Sequence, residues 1–481
     1  MVSLIVAVDS NFGISRNGGI PWNYKEDYNF FVDSTSRNYG PGKNVLIMGK
    51  NTWLSLPKQL PNRITIVVSN TLQLEVNDTL YVVRSLDEAR ELTKNIICGH
   101  VFICGGKALY EASLPYVDNI FLTMIHHDYA CDNVISLSLN KYKTHKKHTF
   151  ELTDKNTEEK HMVSFHKLYL DNLPNFWIIQ KEEQQLLDLL EKILRKGSYQ
   201  QTRNSETWAV FGETLKFNMA KGFPLLTTRR ISFKIIFEEL MQFLRGDTNA
   251  NHLSEKGIKI WDLNTSREFL DSVGLNHFEP GCLGTLYPHA FRHYGAEYKG
   301  MHHDYDSPKQ GFDQIEYCIN LLKTDPFSRR ILITSYNPSQ MFEAPLFPCH
   351  SLIIQFNVKI IENQYQLSCN MYMRSSDVWM AANINTINIV LLVLFLCEVI
   401  NNDNDYKGLK YIPGKVMLSL GNVHIYSNNR EQSIRQILRD PHPTPTISIN
   451  RKVTDINDFL YEDFTINNYV SYPNIASKMI A

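Results

Sequence analysis

Residues 100–110, HVFICGGKALY, have the composition of a buried strand, a glycine turn and the start of a helix. Valine, isoleucine and phenylalanine favour a strand, and two adjacent glycines favour a sharp turn. The stretch MGKNTW at 48–53 has the same order. Repeated strand–turn–helix units predict an α/β fold with a largely parallel sheet, because a helix is the usual connection between parallel strands.

The same alternation extends across residues 1–170. Other candidate strands are SLIVAVD, NVLIMG, RITIVVS, LYVVRS and NIFLTMI, and candidate helices include KEDYNFFVDSTSR and SLDEARELTKN. It stops at DNLPNFW, and KEEQQLLDLLEKILRKG then has the spacing of an amphipathic helix that ends at Gly197. Long helices and strands follow without repeating the first pattern. We therefore predict an α/β domain over 1–170, a short linker over 171–180 and an α+β domain over 181–481.

The composition narrows the class of protein. Hydrophobic residues make up 43% of the 481 residues, and 49 basic against 50 acidic residues give a net charge of −1. This balance argues against a nucleic-acid or membrane-surface binder, which would show a basic excess. The eight cysteines form no CxxC pair, so we expect no disulfides and no metal site in a reduced, cytoplasmic protein. The start MVSLIVAVDSNFG lacks the basic region of a signal peptide, and INIVLLVLFLCEVI (387–400) is more typical of a buried helix than of a membrane span.

Three features of the first domain indicate a site for a nucleotide and an aromatic ring. Asp27 lies in the segment GIPWNYKEDYNFF, where a carboxylate is either a structural cap or an anchor for ring N–H donors. The two glycine turns, MGKNTW and CGGKALY, would present backbone N–H groups to phosphates. Arg63 and Arg84 stand at strand ends, either as anion ligands or as solvated surface residues.

Residues 1–170 resemble dihydrofolate reductase along their whole length. The motifs IVAV, GIPW, MGKNTW, LPNR, CGG and IFLT occur in the family's order. The resemblance implies reduction of dihydrofolate by NADPH, in which Asp27 binds the pteridine ring and supports protonation at N5. It implies a ring pocket and hydrogen-bond network of Ala7, Trp22, Phe31 and Thr123, and pairing of Arg63 with the α-carboxylate of folate. It assigns binding of the cofactor to Gly49, Lys50, Thr52, Arg84, Gly105, Gly106 and Tyr110. GISRNGG (13–19) would be the mobile loop that closes over the nicotinamide. Asn70 stands where vertebrate relatives have an arginine that helps to hold the 2′-phosphate.

In the second domain, PLFPCHSLIIQF (345–356) places Cys349 before a histidine at the entrance of an apolar run. From the residues alone it is either a nucleophile or a small buried hydrophobe. A nucleophilic cysteine needs a cation or base nearby. Candidates are Arg203, Arg329, Arg330, Arg374, His424 and Tyr426, although the arginines are also compatible with surface ion pairs.

Residues 181–481 resemble thymidylate synthase, with FPLLTTRR, FLRGDTN, IWD, DPFSRR, FPCH, MRSSD, HIYSN and YEDFTI in order. Fusion of the two families resembles the bifunctional protein of protists and plants. The resemblance implies methylation of dUMP by 5,10-methylenetetrahydrofolate, with Cys349 attacking C6 of the uracil ring. Glu239 would organise water for proton transfers, and Tyr287 would assist near the nucleophile.

The same resemblance assigns the groups of both ligands. It implies that Arg203, Arg374 and Ser375 bind the phosphate of dUMP. Asn385 would bind the uracil edge, and His424 and Tyr426 would bind the ribose. Arg329 and Arg330 would reach the phosphate from a second copy in a homodimer. Folate would meet Trp261, Asp377, Arg229 and the C-terminal KMIA.

The synthase-like half departs from the family at several loops. RNSETW stands where the family has Arg-Thr-Gly-Thr-Gly-Thr, and YPHAFR where it has Tyr-Gly-Phe-Gln-Trp-Arg. VWMAANIN stands in place of the loop Gly-Leu-Gly-Val-Pro-Phe-Asn. Gln242, Met373 and Asn422 replace Trp, Gln and Asp. Lost glycines can prevent the close backbone approach that a phosphate needs. The sequence favours an enzyme active in both halves and leaves two alternatives. One is a working reductase with a weakened or inactive synthase half kept as a dimerising scaffold, and the other is a non-enzymatic subunit of a larger assembly.

Overall fold

The structure, a computed structural model, describes residues 1–37, 39–171, 180–202 and 205–477. The chain forms two compact units, residues 1–178 and 179–481. The predicted linker over 171–180 lies almost entirely outside the described residues.

A large sheet forms the centre of the first unit. Its strands, with a short pair at its side, are β1 (Val2–Val8), β2 (Gly13–Ser15), β3 (Lys43–Gly49), β4 (Arg63–Val68), β5 (Leu80–Val83), β6 (Cys98–Ile103), β7 (Asn119–Ile125), β8 (Asn133–Val134), β9 (Tyr142–Thr153) and β10 (Lys160–Leu170). The α-helices are α1 (Lys25–Ser36), α2 (Lys50–Ser55), α3 (Leu86–Asn95) and α4 (Lys107–Ser113), with a 3₁₀ turn at Leu114–Tyr116. Within the described residues the strand order is β5-β4-β3-β6-β1-β7-β10-β9, and β2 pairs with β8.

The predicted α/β fold is confirmed. The strands from β5 to β7 are all parallel, and only β10 and β9 run antiparallel at one edge. The central strands are apolar almost without interruption, as in VLIM of β3, because helices cover both faces of a parallel sheet. Leu4, Val45, Ile66 and Ile120 have no exposed surface.

Both glycine turns form as predicted, and they lie side by side. Gly49 joins β3 to α2, and Gly105-Gly106 join β6 to α4. Because β3 and β6 are neighbours, the Gly49 N–H donates to the Gly105 carbonyl at 2.7 Å. The carboxyl ends of β3 and β6 therefore lie side by side at one edge of the sheet.

The second unit is built on a six-stranded sheet in the order β11-β12-β16-β15-β14-β13. Its strands are β11 (Ser198–Gln201), β12 (Glu206–Asn218), β13 (Leu332–Thr334), β14 (Ile353–Ile361), β15 (Gln364–Asp377) and β16 (Tyr411–Tyr426), and β17 (Thr446–Ile449) pairs separately with β18 (Phe464–Asn467). Only β15 and β16 pair in parallel among these described strands. This arrangement agrees with the predicted α+β class.

Helices and short turns fill the rest of the second unit. The helices are α5 (Lys181–Lys196), α6 (Phe233–Leu244), α7 (Asn251–Glu255), α8 (Arg267–Ser272), α9 (Tyr287–Arg292), α10 (Gln314–Thr324), α11 (Ala382–Asn402) and α12 (Arg430–Ile437). The 3₁₀ turns are Met219–Lys221, Leu263–Thr265, Ser427–Asn429 and Tyr461–Asp463. Gly197 ends α5 as predicted, with its N–H donating to the Ile193 carbonyl at 2.8 Å.

Helix α11 contains the longest apolar run of the chain. Among the described residues it alone is long and apolar enough to cross a membrane, but 83% of its most apolar 18 residues are buried inside the unit. It packs on β15, β16 and α6. The interpretation of this run as a buried core helix is confirmed.

Candidate active sites

Asp27 lies in the first turn of α1, and β1 and β7 face it with small side chains. Ala7 and Thr123 are register partners on these two strands, and Thr123 hydrogen-bonds to the Asp27 carboxyl. Burial disfavours the charged form and raises the pKa of Asp27 to about 6, against the effect of the Thr123 bond. Phe31 lies one turn further along α1, on the same face as Asp27.

Trp22 completes this pocket. It is buried, and its indole lies close enough to Asp27 to favour the charged carboxylate. The indole N–H nevertheless makes no hydrogen bond of good geometry within the described residues. A buried donor without a partner marks a place for a ligand atom or an ordered water.

The glycine turn has no room for a side chain. Gly105 has a φ of +113°, and a Cβ there would lie 3.1 Å from the Tyr110 hydroxyl and 3.4 Å from Thr52 Oγ1. Tyr110 is fixed by donating to the Ile5 carbonyl at 3.0 Å. The residues that the resemblance gives to the cofactor thus meet here, except for two cations. Lys50 donates to Thr71 at 3.1 Å, and the Arg84 side chain is exposed.

Arg63 is buried at the start of β4, with 4% of its surface exposed. Its guanidinium donates to Thr35 Oγ1 at 2.7 Å and to the Pro61 carbonyl at 3.1 Å. Desolvation lowers its pKa. Thr35 belongs to α1, so the same helix positions Asp27 and braces Arg63.

Cys349 lies just before β14, against the hydroxyl of Tyr287 from α9. The two are 62 positions apart in sequence, yet the phenol oxygen is 3.5 Å from Sγ. The Cys349 N–H donates to that oxygen at 3.0 Å, which leaves the phenol proton for the sulfur. Burial, then the neighbouring thiol, raises the pKa of Tyr287 well above its ordinary value, so the phenol stays protonated. Stacking on His350, with centroids 4.1 Å apart, holds the ring.

The end of β15 braces the loop that carries Cys349. Arg374 donates to the carbonyls of Pro348 at 2.8 Å and Phe347 at 2.9 Å. The Ser375 N–H donates to the Cys349 carbonyl at 3.4 Å. Arg374 therefore fixes the nucleophile's loop while its side chain remains exposed.

The other arginines assigned to the phosphate differ in status. Arg329 and Arg330 are exposed between α10 and β13. Arg203 lies outside the described residues, as does the C-terminal KMIA. The role of Arg203 in phosphate binding therefore stays a prediction.

Glu239 is buried on α6 with 7% of its surface exposed. Desolvation raises its pKa to about 7, and the Asn388 amide and the nearby Trp261 indole act against this rise. The Asn388 amide donates to Oε2 at 3.1 Å. The Trp261 N–H and the Asn388 Oδ1 have no partner of good geometry in the described residues. Two polar atoms without such a partner therefore lie near the Glu239 carboxyl, and one, the Trp22 indole nitrogen, lies near Asp27.

The groups assigned to the uracil, ribose and pterin also converge. Asn385 is buried in the first turn of α11, and Asp377 and His424 are register partners on β15 and β16. Burial lowers the pKa of His424 to about 4, so its ring is neutral. His424 Nδ1 lies 3.0 Å from Asn422 Oδ1, and Tyr426 packs edge-on against the ring. Burial raises the pKa of Asp377 to about 6, although the Met380 N–H at 3.1 Å acts the other way.

Comparisons with known proteins identify the family of each unit. A family model of dihydrofolate reductase covers residues 1–167, and one of thymidylate synthase covers residues 184–481. The bifunctional dihydrofolate reductase-thymidylate synthase of Zea mays is 34% identical over 99% of this chain and 96% of its own length. The bifunctional dihydrofolate reductase-thymidylate synthase of Paramecium tetraurelia is 33% identical over 99% of this chain and 98% of its own length. The chain belongs to the bifunctional dihydrofolate reductase-thymidylate synthase family. Both resemblances are thereby confirmed, and NADPH and methylenetetrahydrofolate are the cofactor and co-substrate expected for the two families.

Arg229, which the resemblance assigns to folate, is held by contacts within the second unit. Only 6% of its surface is exposed. Its guanidinium stacks on Trp379 at 4.3 Å and donates to the Trp379 carbonyl. Because Trp379 belongs to the altered loop VWMAANIN, Arg229 anchors that loop instead of facing solvent.

Other altered positions are also held by contacts within the unit. Asn383 donates to the Pro224 carbonyl at 2.9 Å, and Gln242 donates to the Asn249 carbonyl at 2.8 Å. Met373 has no exposed surface. These departures are packed into the domain, and Asn385 is buried in the first turn of α11.

Asn388 is the residue of this site that sequence reasoning missed. It lies inside the apolar run NIVLLVLFL, where an amide has no solvent to bond and needs a buried partner. That exception to an apolar pattern was a usable signal. It did not identify Glu239 as the partner, which is 149 residues away.

Proposed function

We propose that the chain catalyses reduction of dihydrofolate by NADPH in its first unit and reductive methylation of dUMP by 5,10-methylenetetrahydrofolate in its second. The observation that carries the proposal is the fixed contact between Cys349 and the protonated Tyr287 hydroxyl, in a chain that also desolvates Asp27 and so gives it a pKa of about 6. Neither arrangement is needed by a scaffold. The second unit would produce dihydrofolate, which the first unit would consume.

In the first unit, Asp27 holds the pteridine ring and keeps a proton available near N5. Its raised pKa supports this role, because about half of the carboxyl is protonated at pH 6. We assign the nicotinamide cofactor to the glycine turn at Gly105, where a Cβ would lie 3.1 Å from the Tyr110 hydroxyl, so that only glycine leaves the backbone open to a ligand. NADPH supplies the hydride when bound. Thr52 and Tyr110 support the turn from two helices.

In the second unit, the Cys349 sulfur bonds to C6 of dUMP, which makes C5 a carbon nucleophile. Tyr287 positions the thiol through its hydroxyl. Glu239, with its pKa of about 7, exchanges protons with the ring through water, and the partnerless Trp261 N–H supports a water there. Methylenetetrahydrofolate donates both the one-carbon unit and a hydride, and leaves as dihydrofolate.

We further propose that two copies associate through the outer face of the second sheet. Leu332, Ile353 and Tyr372 are exposed there, and Ile353 and Tyr372 are register partners on β14 and β15. Adjacent exposed apolar residues on one sheet face favour burial against another copy. The exposed Arg329 and Arg330 would then be free to reach the other copy's phosphate site. Ile353→Lys should give a mass near 55.7 kDa in light scattering where the unmodified chain gives twice that value.

Intact-mass spectrometry after incubation with 5-fluoro-dUMP and methylenetetrahydrofolate tests the synthase half. We expect a covalent ternary adduct that is absent in Cys349→Ser, while that variant still oxidises NADPH with dihydrofolate. Absence of an adduct at saturating ligands would contradict the synthase assignment. The scaffold alternative is favoured neither by the comparisons nor by the described residues.

A further inference from the structure

A cluster of three metal-binding side chains lies at the end of β7 and the start of β10, apart from both proposed active sites. The ladder that pairs Ile125 with Val163 continues through the His126 N–H, which donates to the Met162 carbonyl at 2.9 Å. This register brings His127 opposite His161. Glu159 lies immediately before β10, and its carboxylate joins the two histidines in one group. One ligand atom from each side chain lies within 4.8 Å of the others.

A chain of hydrogen bonds fixes which nitrogen of His161 carries its proton. The buried Asp154 carboxylate can only accept, and it takes the Tyr129 hydroxyl proton. Tyr129 must then accept from Tyr24 at 3.0 Å, since its own proton is used. Tyr24 in turn accepts from His161 Nδ1–H at 2.7 Å. In the neutral ring, His161 Nε2 therefore carries the lone pair, on the side of the imidazole that faces Glu159.

The exposed side of the cluster has the spacing of a coordination site. His161 Nε2 lies 3.5 Å from Glu159 Oε2, and the rings of His127 and His161 are 4.0 Å apart. Two ligands of a tetrahedral zinc ion, each bonded at about 2.0–2.1 Å, are roughly 3.3 Å from each other. Two histidines and one carboxylate form a set that zinc accepts, with the fourth position open to water.

We propose that His127, Glu159 and His161 bind one divalent transition-metal ion of the zinc class. Tyr24 is the positioning residue that holds the His161 tautomer, the arrangement by which outer groups orient metal-bound histidines. The absence of paired cysteines does not bear on this site, because its ligands come from two strands that are distant in sequence. The proposal does not depend on the activity of either unit.

The site is joined to the Trp22 segment through the same hydrogen bonds. Asp154 also accepts from the Asn23 N–H at 3.0 Å, and Trp22 packs on Tyr129 with ring centroids 5.3 Å apart. A bound ion would therefore fix the chain beside the reductase pocket without touching substrate.

Cobalt and zinc titrations of the metal-stripped full-length chain test the proposal. We expect Co²⁺ to give the visible absorption of a tetrahedral site, and Zn²⁺ to displace it at one equivalent. His161→Gln and His127→Gln should each lose that equivalent. His302→Gln is the matched control, because His302 lies 3.3 Å from Glu279 but belongs to no group of three such ligands among the described residues.

Tyr24→Phe separates the site from a chance cluster of histidines. It keeps all three ligands and removes the acceptor of His161 Nδ1, so Zn²⁺ affinity should fall by about 10–100-fold. If wild type and His161→Gln bind the same number of Zn²⁺ equivalents with equal affinity, the proposal is wrong. It is equally wrong if the cluster takes up only a proton, shown by a titrating His161 NMR signal that Zn²⁺ leaves unchanged.

Discussion

Asp27 in the first unit and Glu239 in the second are both carboxyl groups whose pKa is raised by desolvation, to about 6 and about 7. Each lies near an indole N–H that has no partner of good geometry among the described residues. Their surroundings differ. Asp27 is partly exposed on the first turn of a helix and bonded to a threonine hydroxyl, whereas Glu239 lies in the middle of a helix and is bonded to an amide.

The difference indicates how directly each group acts. Asp27 keeps part of its residue surface exposed at the start of a helix, so its desolvated carboxyl can touch the substrate ring itself. A fully buried one beside Asn388 reaches the substrate only through water, and bond formation falls to a separate residue, Cys349. Loss of the first carboxyl should therefore remove one reaction almost completely, and loss of the second should leave a chemical step intact.

The largest effect should come from Asp27→Asn. We expect the rate of NADPH oxidation with dihydrofolate to fall by about 10³–10⁴-fold at pH 7, because the proton donor is lost. In the unmodified chain the rate should rise as the pH falls through about 6, where Asp27 becomes protonated. The variant should lack this titration. An unchanged rate, with an unchanged pH profile, would remove Asp27 from the mechanism.

Glu239→Gln should have a smaller effect, confined to the second unit. We expect dTMP formation to slow by about 10²-fold, since proton exchange through water is impaired. The covalent adduct of Cys349 with 5-fluoro-dUMP should still form, because attack by the thiol does not require this carboxyl. NADPH oxidation is the internal control. Loss of the adduct together with the rate would show that Glu239 acts on the nucleophile, and that both carboxyls take a direct part in their reactions.

How far the sequence predicts these sites depends on the range of the interaction. The strand–glycine–helix units around Gly49 and Gly105 follow from local composition, and the order of motifs identified both families. The contact between Arg229 and Trp379 joins positions 150 apart, and no local pattern indicates it. The β9–β10 edge was also missed, because KTHKKHTFELT mixes charges with apolar residues on a half-exposed face.

A stability measurement should separate the free-energy cost of burying the charged Asp27 carboxylate from the catalytic role of that group. A carboxyl whose pKa rises from 3.8 to about 6 on folding stabilises the first unit below about pH 4, and this contribution is lost as the pH rises through 6. At pH 8 the charged group should cost about 2–3 kcal/mol. Asp27→Asn should therefore raise the free energy of unfolding at pH 8 and change it little at pH 4. Urea titrations with short hydrogen-exchange pulses, read on peptides from β1 and β7, measure this unit separately.

The contact between Asn388 and Glu239 gives the finest test of the comparison. The amide hydrogen bond at 3.1 Å favours the charged carboxylate, so Asn388→Leu should raise the pKa of Glu239 beyond about 7. A hydrogen bond to a charged group contributes about 1.5–3 kcal/mol, which corresponds to a shift of about one unit or more. The rate of dTMP formation at pH 7 should then fall and recover when the pH is raised by that amount. Asn383→Leu is the control, because Asn383 lies on the same helix as Asn388. This change removes a hydrogen bond to the Pro224 carbonyl and should leave the pH profile unchanged. A loss of rate that no change of pH restores would mean that Asn388 only packs the site, and that burial alone sets the ionisation of Glu239.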